Sequence, residues 1–151
     1  MGAGDVGIAS AALCYVAIQV WSLARRVPLG HDEAVYLLRA RYFAGGSADA
    51  AGYWAPYRAP GLPAVLSVPM RIFGESITLS RFIVVLFGAV AIVLIGLLAR
   101  SLSDARVGAV AAWLLVSSAA FTDYGSLLLL DIPGVTLSLA AALSLEYAVR
   151  G

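Results

Sequence analysis

The chain has 151 residues, of which 62% are hydrophobic and 13% charged, and its mean hydropathy of +0.92 lies outside the usual balance of water-soluble domains. A net charge of +1 supplies no overall field that would gather nucleic acid or an acidic substrate. Every basic residue is arginine, and the single cysteine, Cys14, excludes an internal disulfide and a cysteine metal cluster.

The apolar residues come in long runs, as membrane-crossing helices require. The first run, residues 6–24, closes on Arg25 and Arg26, and Met1 to Asp5 lack the positive start of a signal peptide. The segment 25–81 then changes character: it holds seven of the ten arginines, four acids and five of the six prolines. Within it, Asp32 to Ala44 reads as a short helix with His31 or Asp32 at its N-cap, ended by Gly45-Gly46. Residues 53–63 carry too much proline for a helix. Leu62 to Phe73 mixes apolar side chains with Arg71, as a helix lying in the membrane interface does. Further spans are expected over residues 82–99, 107–121 and 127–149, the third near the lower length limit and the fourth interrupted by Asp131 and Pro133-Gly134. The expectation is an all-α, polytopic membrane protein with about four transmembrane helices and a long first loop carrying short interfacial helices. Two crossings separate that loop from the polar corner Thr122–Ser126, so both emerge on one membrane face.

Chemistry-bearing residues concentrate in that loop. His31-Asp32-Glu33, followed by Tyr36, Arg39 and Tyr42, is the densest polar cluster. Spacing places Asp32, Tyr36 and Arg39 on one helical face. The plain alternative has Asp32 capping the helix and Glu33 complementing its dipole. Asp131 opens the fourth apolar run, where an unpaired carboxylate is costly; it reads either as a site residue or as an N-cap with Pro133 in the first turn. Tyr57-Arg58-Ala59-Pro60 holds a guanidinium in an extended segment, suited to a lipid phosphate and equally to snorkelling at the headgroups, the reading given to Arg71 and Arg81. His31 is the one histidine, so no histidine-based metal site exists. A carboxylate site for a divalent cation from Asp32, Glu33 and Asp131 stays open, although no spacing demands one.

In order along the chain, His31-Asp32-Glu33-Ala34-Val35-Tyr36 with Arg39-Ala40-Arg41, Tyr57-Arg58-Ala59-Pro60-Gly61-Leu62, Arg81, and Leu130-Asp131-Ile132-Pro133 resemble the GT-C glycosyltransferases, in particular the protein O-mannosyltransferase and aminoarabinose lipid A transferase group. The resemblance covers nearly the whole chain, each motif is short, and their order carries the specificity. It implies transfer of a sugar from a polyprenyl-phosphate donor to an acceptor on the outer face of the cell membrane. Asp32 then matches the acceptor-activating carboxylate and Glu33 its neighbour. Arg58 falls where a basic residue holds the lipid phosphate, and Asp131 matches an acid of the same cavity. Tyr36 and Arg39 join Arg58 and Asp131 as substrate-binding candidates. Members of this group are usually longer, so the chain looks like the N-terminal part of such an enzyme, completed by the remaining C-terminal part, or a truncated relative.

The competing reading is a noncatalytic membrane subunit or lipid-binding scaffold. A transporter fragment would instead place its carboxylates near mid-bilayer, whereas these stand at span ends. Counting arginines puts the long loop in the cytoplasm, because the other side holds only Arg100, Arg106 and Arg150. The resemblance puts it outside, and a loop close to the ~60-residue limit of the counting rule lies at the edge of its range.

Overall fold

The computed structural model describes residues 2–25, 28–46 and 59–150. It is all-helical among these residues: α1 (Ala3–Ala24), α2 (His31–Phe43), α3 (Gly61–Phe73), α4 (Ile77–Leu102), α5 (Ala105–Ser117), α6 (Ala119–Asp123) and α7 (Asp131–Arg150). Three of them, α1, α4 and α7, are long and apolar enough to cross a membrane, and α3 and α5 are shorter apolar helices. The chain is a multi-pass membrane protein.

The first loop carries two helices, as expected, with shifted boundaries. Gly30, not His31 or Asp32, occupies the N-cap of α2, and its N–H donates to Glu33 Oε2 at 2.9 Å. The C-terminus closes as the paired glycines predict: Gly45, at φ 103, donates to Tyr42 O and Gly46 to Arg41 O, both at 3.0 Å, satisfying carbonyls that the helix leaves orphaned. α3 starts at Gly61, inside the proline-rich stretch read as non-helical, because Pro63 falls in the first turn, where an absent N–H forfeits no bond. Its end is Gly74, at φ 81.

Further along, α4 begins five residues before the expected 82. Ser76 caps it by accepting from the Leu79 N–H at 3.2 Å, and Arg81 is carried inside because its charge is paired, as described below. The third apolar run is not one long helix. Asp104 starts α5 by accepting from the N–H groups of Arg106 and Val107 at 2.7 and 2.9 Å, and these donors hold its carboxyl below the ordinary range. Ser118, at ψ 114, breaks the helix and caps α6. Thirteen residues of α5 rise only about 20 Å, short of the ~30 Å hydrocarbon core of a bilayer.

α1 packs on α4 and α5, α4 on α5 and α7, and α2 on α3. At one end of this bundle Asp5 pairs with Arg100 and Gly4 lies against Ala105. At the other, the Tyr15 hydroxyl donates to Gly125 O at 3.0 Å and Gln19 Nε2 to Thr122 O at 2.8 Å. Buried Tyr15, Leu66, Val84, Val85, Ile92 and Leu128 fill the core between.

Glycine permits the closest helix approaches, as at many interfaces between spans. A Cβ on Gly108 would stand 2.6 Å from Gly96 O, and one on Gly4 2.4 Å from Ala105 O. Backbone oxygens cannot step aside. Gly108→Ala is therefore expected to lower stability by about 1–3 kcal/mol, read as a fall in the unfolding midpoint of detergent-solubilised protein; an unchanged midpoint would mean that α4 and α5 sit further apart.

The shared face of the long loop and the 122–126 corner is open to direct test. Gly125 is unsuitable for a reporter cysteine, since a Cβ there would meet Gln19 and Tyr15 at 2.5 and 2.6 Å. Cysteines at exposed Tyr42 and Asp123, in a Cys14→Ala background, should react with an impermeant thiol reagent from one side, and one at Ser103 from the other. Opposite reactivity of Tyr42 and Asp123 would remove the arrangement.

Candidate functional site

The polar end of the bundle is organised by Glu33, which is 3% exposed. It sits in the first turn of α2, where a carboxylate favours the helix dipole. Its two oxygens accept four hydrogen bonds: Oε1 from Arg81 Nε and from the Leu128 N–H, both at 3.0 Å, and Oε2 from Arg81 Nη2 at 2.8 Å and the Gly30 N–H at 2.9 Å. Arg81 also donates to Pro28 O at 3.1 Å. Burial alone would raise the Glu33 carboxyl, but the guanidinium and the two backbone donors outweigh it and hold the group below the ordinary carboxylate value. A two-pronged pair with its remaining lone pairs satisfied is the arrangement that makes a buried charge tolerable. The reading of Arg81 as a snorkelling residue is overturned, since it is 6% exposed and turned inward.

This clamp joins three separate stretches of chain. It explains why residues 127–130, expected at the start of the fourth span, are not helical: the Leu128 N–H is committed to Glu33, and α7 begins only at Asp131. Between the start of α2 and this turn lies a groove of about 370 Å³ lined by Gly30, His31, Asp32, Glu33, Leu127 and Leu129. The groove thus joins the start of α2 to the residues that directly follow the Thr122–Ser126 corner.

The other candidate residues distribute differently. Tyr36 is 3% exposed and belongs to the hydrophobic core, and the Arg39 guanidinium lies over the Phe43 ring, 5.6 Å from its centre. Neither lines the groove. Asp131 is exposed as the first residue of α7, with Pro133 in its first turn, so it is not an N-cap and does not line the groove either. Arg58 lies outside the described residues. Arg71 donates to the Phe43 carbonyl, tying α3 to the end of α2. Among the described residues no group of three or more His, Cys, Asp or Glu stands close enough to hold a metal ion. Sequence reasoning missed the Glu33–Arg81 pair, because Arg81 directly precedes the expected span and reads as its boundary.

Fold and site together define a multi-pass, all-helical membrane protein with a carboxylate-bearing groove at one end of its helices. The model of the dolichyl-phosphate-mannose-protein mannosyltransferase family matches residues 57–150, and the chain belongs to that family. It is a membrane glycosyltransferase of the GT-C type. The match begins after α2, so Asp32 and Glu33 precede it. No curated protein and no solved structure matches the chain.

Proposed function

We propose that the chain transfers a sugar from a polyprenyl-phosphate donor to an acceptor hydroxyl at the outer membrane face, with Asp32 as the acceptor-activating base. The observation that carries this reading is the groove itself, in which Asp32 stands beside a carboxylate already committed to Arg81, within a family of membrane mannosyltransferases. Two adjacent carboxylates thereby take different tasks. Glu33, with both oxygens engaged, is a positioning residue that fixes the start of α2 against the Leu127–Leu129 turn. Asp32 accepts the proton as the acceptor attacks the anomeric carbon, and the bond from that carbon to the phosphate oxygen breaks on the opposite side. A single displacement of this kind inverts the anomeric centre, and the lipid phosphate leaves with the bonding pair.

A cation must stabilise that departing phosphate, and Arg58 takes the role by its place in the Tyr57-Arg58-Ala59-Pro60 segment. Arg58→Ala should weaken donor binding by about 2–5 kcal/mol, with Arg58→Lys recovering part, since lysine keeps charge but loses the two-pronged geometry. Arg106, exposed at the opposite end of the bundle, is the control; Arg71 is not, because of its bond to Phe43. Equal affinities of Arg58→Ala and Arg106→Ala for a polyprenyl phosphate would leave Arg58 as a membrane anchor. The overall reading is tested by incubating the full-length protein, in membranes, with labelled polyprenyl-phosphate sugars; absence of transfer from all of them would favour a noncatalytic scaffold.

A further inference from the structure

A second cavity, of about 260 Å³, lies on the far part of α2 from the groove and is lined by Leu37, Leu38, Arg41, Met70, Glu75, Ser76 and Ile77. Along α2, Arg41 lies nine positions after Asp32, about 14 Å of helix, so the two sites are distinct. Its floor is apolar: Leu37 and Leu38 from α2, Met70 from α3 and Ile77 from α4. Its rim carries one cation and one anion, Arg41 Nε and Glu75 Oε1, 2.7 Å apart and both more than half exposed. The α2 and α3 walls are fixed to each other by the bond from Arg71 to the Phe43 carbonyl.

The cavity's level in the membrane follows from its neighbours. Ile77 is the first residue of a spanning helix, and Val68, Ile72 and Phe73 of α3 are 57–73% exposed. A mouth between charged residues and an apolar floor at that level faces the headgroup layer. The volume falls just below the range of small-molecule pockets, enough for a headgroup and the first part of its chains.

We infer that this cavity binds a zwitterionic phospholipid bearing a primary ammonium, of the phosphatidylethanolamine class. The Arg41–Glu75 pair presents complementary charges at short separation, and such a headgroup replaces one ion pair with two: phosphate on Arg41, ammonium on Glu75, with the upper acyl carbons on Leu37, Leu38, Met70 and Ile77. An exposed ion pair contributes little in itself, so little is lost in opening it. Trimethylation of the ammonium removes the N–H donors that Glu75 would accept, and an anionic headgroup leaves Glu75 facing negative charge. The site does not depend on the role assigned to Asp32.

The test is retention of lipid by the full-length protein in native mass spectrometry, after exchange into micelles containing equal amounts of phosphatidylethanolamine, phosphatidylcholine and phosphatidylglycerol. Phosphatidylethanolamine should be retained about tenfold over either of the others, and Arg41→Gln or Glu75→Gln should each abolish that preference. The charge-swapped double variant Arg41→Glu with Glu75→Arg keeps an ion pair for folding but reverses its order along the rim. It should keep its unfolding midpoint and still lose the preference. Equal retention of the three lipids, a preference for phosphatidylglycerol, or displacement of bound phosphatidylethanolamine by a polyprenyl phosphate would each overturn the assignment, the last by giving the cavity to the sugar donor.

Discussion

Glu33→Gln should destabilise the protein by about 3–5 kcal/mol, because it removes one charge of a buried pair and leaves the other without a counterion. Both members are more than nine-tenths buried, so solvent cannot take over the lost interaction. The amide keeps one acceptor for the Leu128 or Gly30 N–H and presents an NH₂ group towards Arg81, which is a donor facing a donor. Arg81→Met should cost a comparable amount, this time by stranding the carboxylate. The double variant Glu33→Leu with Arg81→Met should recover a large part, since no unpaired charge remains, although Pro28 O, Gly30 N–H and Leu128 N–H still lose their partners. Unfolding midpoints in detergent for the two singles and the double form a cycle. Single variants within about 1 kcal/mol of the parent would mean that water reaches the pair. The pH dependence has a definite sign. The folded Glu33 carboxyl is held below its unfolded value, so its contribution is fully present above the unfolded value and is lost as pH falls through the folded one. Glu33→Gln should accordingly flatten the acid side of the stability profile.

Long apolar runs made the helices legible, and where their ends moved, a specific polar contact moved them. A charged residue in an apolar run reads as a boundary only while its partner is unknown. Arg81 looks like the edge of a span, but Glu33, 48 residues earlier, neutralises it and lets α4 start at Ile77. Leu127–Leu130 reads as the beginning of the fourth span because nothing local tells that the Leu128 N–H will be taken by Glu33. The break at Ser118 is of the other kind: a serine can cap a helix or sit inside one, and the Ser117-Ser118 pair is flanked by Val116 and Ala119, so periodicity alone carries no sign of it. For the candidate site, the density of polar residues at 31–33 pointed to the groove. The spacing of Asp32, Tyr36 and Arg39 did not, because a shared helical face says nothing of depth. Tyr36 enters the core and Arg39 turns to Phe43, while the groove forms between the start of α2 and a turn nearly a hundred residues away in sequence, as the Glu33–Leu128 bond across 95 positions shows.

Asp32→Asn should reduce sugar transfer by about 10²–10⁴-fold, the range associated with loss of a positioned proton acceptor, while leaving the protein folded and inserted. The separation of these two effects follows from where Asp32 stands. It is the second residue of α2, after a Gly30 N-cap whose own N–H is satisfied by Glu33, so Asp32 is not the residue that closes the helix start. Removing its charge costs the favourable interaction with the helix dipole, about 0.3–2 kcal/mol at a partly buried position. The asparagine amide preserves shape but has no affinity for a proton at neutral pH, so the attacking acceptor must lose its proton without help. Donor binding should be nearly unchanged, because the proposed phosphate ligand is Arg58, and the loss should therefore fall on turnover rather than on donor affinity. Asp32→Glu should restore part of the activity, since it keeps the carboxylate and displaces it by one methylene. Transfer from a labelled polyprenyl-phosphate sugar, donor affinity and unfolding midpoint would be measured on all three proteins. Near-normal turnover of Asp32→Asn with an unchanged midpoint would show that the proton goes elsewhere. A large fall in the midpoint would instead make Asp32 a structural member of the Glu33–Arg81 clamp.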